Sequence, residues 1–236
     1  MEIHIWLYMK VIAHRGFADK NIENSIQSIK SASKYSDIIE IDVRVSKDGV
    51  PVVFHDTHID DKTNSSGLIS EQTYEDIIET KIENSEETIP TLSSVLDATS
   101  KPVLVELKSK RCIEKIYSIC SSSTVSIQYQ SFNPSILKEI PDSVDKFLLI
   151  PLEEHLSING ISKNSITNID EAIQFAEREQ LTGLSIHYDF CSKEKVQKIK
   201  LRDFSIYIWT INNSTMGDKI SQFNVDGIIT NHPDYL

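Results

Sequence analysis

Short runs of β-branched and other apolar residues alternate along this chain with stretches whose apolar positions recur every three to four residues. The first kind fits strands and the second fits amphipathic helices. Eight strand-like runs can be counted, at residues 10–14, 38–43, 102–107, 125–130, 146–151, 183–187, 205–210 and 227–230. Helices are expected between them at 25–35, 113–120, 169–180, 193–201 and 215–223. In the third of these, Ile169, Ile173, Phe175, Ala176 and Leu181 form one apolar stripe, and Asn168 or Thr167 is placed to cap its start. Strand and helix in strict alternation predict parallel pairing through helical crossovers. Eight such strands in 236 residues predict an α/β fold closed into a (β/α)8 TIM barrel.

One stretch breaks the rhythm. Residues 46–100 are longer than a single crossover and hold an extra β-like run at 50–54, then a polar loop at 60–67. A small insertion over the barrel mouth, at about residues 46–69, accounts for them, with helices resuming near Ser70 and Thr91. The reading is one barrel domain over residues 1–236, with no internal repeat and no low-complexity tract. Met1 to Tyr8 precede a second methionine, Met9, and are expected to pack across the barrel floor as an extension.

Composition narrows the partners. Net charge is −11, with no run of five or more like charges, which argues against a surface that neutralises nucleic-acid phosphates. Any phosphate has to be held locally. The longest apolar stretches are strand-length, so no stable membrane insertion is expected, and residues 1–8 lack the pattern of a signal peptide. Cys112, Cys120 and Cys191 show no metal-ligand spacing with histidine and are read as reduced thiols of a cytoplasmic protein.

In a parallel barrel the functional groups gather at the carboxyl ends of the strands. His14, Arg15 and Gly16 end the first strand; Glu40 and Asp42 lie in the second; Glu106 and Lys108 end the third; Trp209, Thr210 and Asn212 end the seventh. Glu40 and Asp42 are two apart, so both face one side while Ile39, Ile41 and Val43 face the other. At about 7 Å two such carboxylates repel by roughly 2 kcal/mol, before any desolvation cost. Glu106 adds a third acid from the next strand. Three oxygen donors on rigid strands suit Mg2+ or Ca2+; a metal-free salt-bridge network through Arg44 and Lys108 is the plainer alternative.

His14 and His55 each stand where a buried run meets a loop, and near-neutral imidazoles exchange roles as acid and base. Taken singly, either is better explained as a structural hydrogen bonder, and the pair gains weight only beside the carboxylates and Arg15. Arg15 offers a planar fork for phosphate oxygens and Lys108 a point charge beside Glu106; both can instead neutralise the carboxylates. Asp56 is read as orienting a loop, Asn24 or Ser25 as a helix cap, and Asp48 with Gly49 as a hairpin turn. Trp209 is either pocket lining for a small polyol or choline-like group, or core. His58, His155, His187 and Cys191 belong to no defensible constellation.

Read in order, these residues resemble the glycerophosphodiester phosphodiesterase family. The likeness runs through Ala13-His14-Arg15-Gly16, Glu23-Asn24-Ser25, Glu40-Ile41-Asp42 and Asp48-Gly49 leading to Val53-Phe54-His55-Asp56. It continues through Ile89-Pro90-Thr91-Leu92, Val105-Glu106-Leu107-Lys108, Ser131-Phe132, Trp209-Thr210-Ile211-Asn212 and Asp226-Gly227-Ile228-Ile229-Thr230-Asn231. The resemblance implies hydrolysis of glycerophosphodiesters to glycerol 3-phosphate and an alcohol. It implies His14 and His55 as the acid–base pair, Glu40, Asp42 and Glu106 as metal ligands, and Arg15 and Lys108 as phosphate binders. Ser25 stands where the family usually has threonine and Asn231 where aspartate is common; neither is expected to alter the chemistry. The loop Asp60-Asp61-Lys62-Thr63 departs further, which leaves the substrate open. Two rivals stand beside this reading: a lysophospholipase D-like or phosphoinositide-cleaving barrel, and a catalytically silent barrel that binds phosphodiesters or a protein.

Overall fold

The computed structural model describes residues 9–82, 85–157 and 161–235; the expectation for Met1 to Tyr8 lies outside them. Eight strands run parallel: β1 (Lys10–Ala13), β2 (Ile38–Val45), β4 (Val103–Leu107), β5 (Ile127–Ser131), β6 (Asp145–Ile150), β7 (Gly183–His187), β8 (Ser205–Trp209) and β9 (Gly227–Thr230). β1 pairs with both β9 and β2, which closes the sheet into a barrel. β3 (Pro51–Val53) pairs antiparallel with β2 across the Asp48-Gly49 turn, outside the closed ring. The fold is the (β/α)8 TIM barrel that the alternation predicts.

The outer helices are α1 (Ile26–Ala32), α2 (Tyr74–Ile78), α3 (Leu92–Asp97), α4 (Ile113–Ser121), α5 (Pro134–Leu137), α6 (Ile169–Arg178), α7 (Lys193–Lys200) and α8 (Ser214–Ser221). Their starts follow from local chemistry. Ser25 accepts from Ser28 N to cap α1, and the Asn168 carboxamide accepts from Asp170 N and Glu171 N to cap α6. α6 buries Ile169, Ala172, Ile173, Phe175 and Ala176, a spacing of three to four that lays one stripe against the sheet. Ile169, Ile173 and Phe175 each contribute about 1.5–3 kcal/mol when fully removed from water.

Alternation within the strands divides the molecule radially. Outward Ile39, Ile41, Val43, Val103, Val105 and Leu107 pack under α1, α3 and α4. Inward Ile12, Ile38, Leu104, Phe147, Tyr207 and Ile229 plug the barrel, with Phe147 and Tyr207 stacked at 4.4 Å between centroids. The next inward residues along several strands are polar. The apolar plug therefore forms a dry floor, and Glu40, Glu106, Gln130 and their neighbours form the layer above it, at the carboxyl ends.

The stretch between β2 and β4 carries β3, a 3-10 turn at Ile69–Glu71, α2 and α3. It has its own small core of Val52, Phe54, Ile59, Ile69, Ile77, Ile82 and Ile89. That core anchors the loop holding His55 and Lys62 against the barrel rim.

Candidate active site

The turn after β1 is the most constrained part of the site. Arg15 and Asn24 both hold left-handed backbone angles, φ 53° and 59°, unusual for residues with a Cβ. Gly16 follows at φ 79°, and a Cβ there would stand 2.5 Å from Ser28 Oγ and 2.8 Å from its carbonyl carbon, so only glycine lets the turn rest on α1. The chain is tied back by Asn24 N to Arg15 O at 2.8 Å, and by Arg15 N donating to Glu40 Oε2 at 3.0 Å.

Register then aligns the acids. Asp42 on β2 lies directly beside Glu106 on β4, and Glu106 beside Gln130 on β5. Glu40, Asp42 and Glu106 each present a carboxylate oxygen within 4.8 Å of the others, and all three are buried. Burial, then Asp42 and Glu106, push the Glu40 carboxyl well above its usual range. Burial raises Glu106 too, against the pull of Lys108. Asp42 goes the other way: burial opposes its ionisation, but Lys108 and Arg15 outweigh it and hold it well below the carboxylate range.

Lys108 Nζ lies 2.8 Å from Asp42 and 2.5 Å from Glu106, and Arg15 Nε lies 3.2 Å from Asp42. Part of the salt-bridge alternative is thus present, through Lys108, while Arg44 makes no ion pair with these acids. Two cations do not finish the balance. Arg15 is shared with Glu23 at 2.9 Å; among the described residues the Glu40 carboxylate meets only the Arg15 backbone N–H and a long contact from Gln130 Nε2 at 3.3 Å, and the buried Gln130 Oε1 has no hydrogen-bond partner. A hard divalent cation suits this all-oxygen set.

Asn24 holds Asp42 from both sides: its amide donates to Asp42 Oδ2 at 2.9 Å, and its carbonyl oxygen accepts from Asp42 N at 3.2 Å. Ser25 caps the helix, and Asn24 aims an acid.

His14, Arg15, Glu40, His55, Glu106, Lys108 and Trp209 line one cavity of about 200 Å³, closed on its apolar side by Phe132, Leu149 and Ile229. The structure brings all the expected site residues together there except Asp42, which stands behind them under Arg15 and Lys108. Trp209 is set by Nε1 donating to Ser185 O at 3.1 Å and by an edge contact with Phe132.

The two histidines have different partners. His55 Nδ1 lies 2.6 Å from Asp56 Oδ1, and the hydrogen bond from His55 holds that carboxyl below its usual range. Asp56 also meets Lys62 at 3.0 Å, and Lys62 reaches Glu23 at 2.5 Å, so the 60–67 loop is stitched to the β1 turn. Asp56 does orient a loop, as expected; it also fixes a site histidine. His14 Nδ1 lies 2.7 Å from Asn231 Oδ1. Burial, then Arg15, push His14 down to about 3, so its ring is neutral across the ordinary pH range. Asn231, at the position where aspartate is common in the family, thus sits against the ring. His155, set aside in the sequence, also lines the cavity, and His187 packs on His155 and Trp209.

Comparison with known proteins bears on this geometry. The Glycerophosphoryl diester phosphodiesterase family profile matches residues 14–235. The chain belongs to that family. With it comes the enzyme class, a phosphoric diester hydrolase. A glycerophosphodiester phosphodiesterase of Caldanaerobacter subterraneus is 28% identical over 96% of this chain and 95% of its own length. A solved Thermotoga maritima glycerophosphodiester phosphodiesterase superposes with TM-score 0.82 at 24% identity, over 100% of this chain and 98% of that one. An Oleispira antarctica phosphodiesterase, solved with sn-glycerol-3-phosphate, superposes with TM-score 0.83 at 22% identity, covering 98% and 96%. These two likenesses carry the fold. No helix among the described residues is long and apolar enough to cross a membrane.

Proposed function

We propose that this protein hydrolyses glycerophosphodiesters to glycerol 3-phosphate and an alcohol, with a divalent cation, Mg2+ or Ca2+, held by Glu40, Asp42 and Glu106. The observation that carries the reading is the convergence of three buried carboxylates within 4.8 Å of one another beside two imidazoles in one cavity. Bound there, the cation would offset charge growing on the phosphoryl oxygens.

The chain's own groups do the rest. Arg15 supplies a guanidinium at the cavity wall, oriented by Glu23 and Asp42, for the equatorial phosphate oxygens. Lys108, between Asp42 and Glu106, favours the ionised form of Asp42, opposes the effect of burial on Glu106, and adds a second positive charge. His14 is the base. Its Nδ1 is engaged by Asn231, its ring is neutral, and Nε2 takes the proton from the attacking oxygen as the new P–O bond forms. His55 is the acid: it gives a proton to the alkoxide as the old P–O bond breaks, and the ionised Asp56 compensates the charge of its imidazolium form. Trp209 and Phe132 bound the apolar side, where the glycerol carbons rest. The reading keeps residues 1–236 as one barrel domain with its insertion at about 46–69, and its free Cys112, Cys120 and Cys191 suit the cytoplasm.

Phosphorus NMR of a glycerophosphocholine digest tests this directly. Glycerol 3-phosphate as the phosphorus-bearing product supports it; phosphocholine as that product refutes it, and a preference for a lysophospholipid over the deacylated diester favours the lipid-cleaving rival.

A further inference from the structure

A second cleft, of about 400 Å³, opens beside the catalytic cavity and shares Glu106, Lys108, Phe132 and Ile161 with it. The four shared side chains set the cleft directly against the catalytic cavity. The cleft is polar, with Ser131, Asn133 and Ser162 on its walls. Besides the shared Lys108, it carries two further cations, Arg44 and Lys163.

Arg44 is the unusual one. It is the next inward residue of β2 after Glu40 and Asp42, and it is only 9% exposed. Its Nε donates to the His55 carbonyl at 2.8 Å. Among the described residues its guanidinium forms no ion pair, although Asp42, Glu106 and Asp56 all act on it through space. Those acids are engaged elsewhere: Asp42 by Lys108 and Arg15, Glu106 by Lys108, and Asp56 by His55 and Lys62. In a chain of net charge −11, a buried cation left without a carboxylate is a standing site for an incoming anion. Lys163 lies exposed on the same cleft.

We propose that this cleft receives the departing alcohol of the diester, and that Arg44, aided by Lys163, selects alcohols bearing an anionic group such as a phosphate ester. The proposal rests on the glycerophosphodiesterase reading above and adds to it a substrate class.

The test uses three soluble substrates with the same glycerol 3-phosphate half and different alcohols: choline, glycerol, and glycerol with a terminal phosphate. Loss of the diester phosphorus resonance is followed for the wild-type protein, Arg44→Gln and Lys163→Gln, because the third substrate yields two glycerol phosphates per turnover. The wild type is expected to favour the anionic alcohol over glycerol by about tenfold in kcat/KM, with choline last. In Arg44→Gln that ratio falls to about twofold or less, and in Lys163→Gln it falls by about two- to threefold. Expressing the result as a ratio removes any general loss that follows from freeing the His55 carbonyl. A wild type that cleaves the neutral and cationic substrates at least as well as the anionic one overturns the proposal and leaves the activity standing. A ratio unchanged in both variants overturns it equally. Cleavage of none of the three by the wild type overturns the activity itself.

Discussion

The Nδ1 of His14 lies 2.7 Å from the side-chain oxygen of Asn231, joining the first and last strands of the barrel at the cavity wall. An amide in that place gives the ring a hydrogen-bond partner without a charge. His55, by contrast, leans on a carboxylate. The difference between a neutral and an anionic partner is what separates the base from the acid in the proposed reaction.

Replacing Asn231 by Asp should shift the pH profile. His14 is held down to about 3 by burial and then by Arg15, while Asp42 and Glu23 already pull the other way. A carboxylate at 231 adds to that pull and raises the pKa of the ring. A base must be deprotonated to act, so the acid limb of kcat/KM should move to higher pH, by about one unit or more. An acid limb that stays in place would show that His14 is not the base.

His14→Ala and His55→Ala should each lower kcat by about 10² to 10⁴. The melting temperature should change little, because both rings border the cavity rather than the core. Near-normal turnover in either variant removes the paired scheme.

Gly16→Ala should destabilise the fold by about 1–3 kcal/mol in urea unfolding, since the new Cβ meets Ser28 at a positive φ. Tolerance of alanine would mean that the turn relaxes freely and that the strain at Arg15 is not imposed by α1.

Asn24→Ala should weaken divalent-metal binding by about 10- to 100-fold, because Asp42 loses both of its hydrogen bonds with Asn24. The activity titrated against metal concentration reports this as a shift in midpoint, with the plateau largely recovered. A lowered plateau with an unmoved midpoint would assign Asn24 to something other than ligand orientation.

Most of the barrel was legible because strand signals are local. The runs at Gly183–His187 and Gly227–Thr230 match to the residue, and the others within about two, since uninterrupted apolar runs between turn residues leave little choice. α5, Pro134–Leu137, went unread because four residues cannot complete a helical repeat. The acids and histidines were readable from strand ends. Their supports were not, because each depends on which distant strand lies alongside. Asn231 is 217 residues from His14 and Gln130 is 90 from Glu40, so neither pairing leaves a local pattern. The cap expected from Asn24 or Ser25 falls to Ser25, and the sequence does not distinguish a cap from an acid-positioning amide at Asn24, because only the place of β2 alongside separates them.

The central claim is that three strand-borne acids hold a divalent cation without which the diester is not cleaved. The most direct measurement is release of glycerol 3-phosphate from glycerophosphocholine by protein stripped with chelator, then replenished with Mg2+ or Ca2+, in wild type and in Glu106→Gln. Activity should vanish on stripping, return with metal in the wild type, and stay absent in the variant. Full turnover in chelator, or full recovery in Glu106→Gln, would contradict the account.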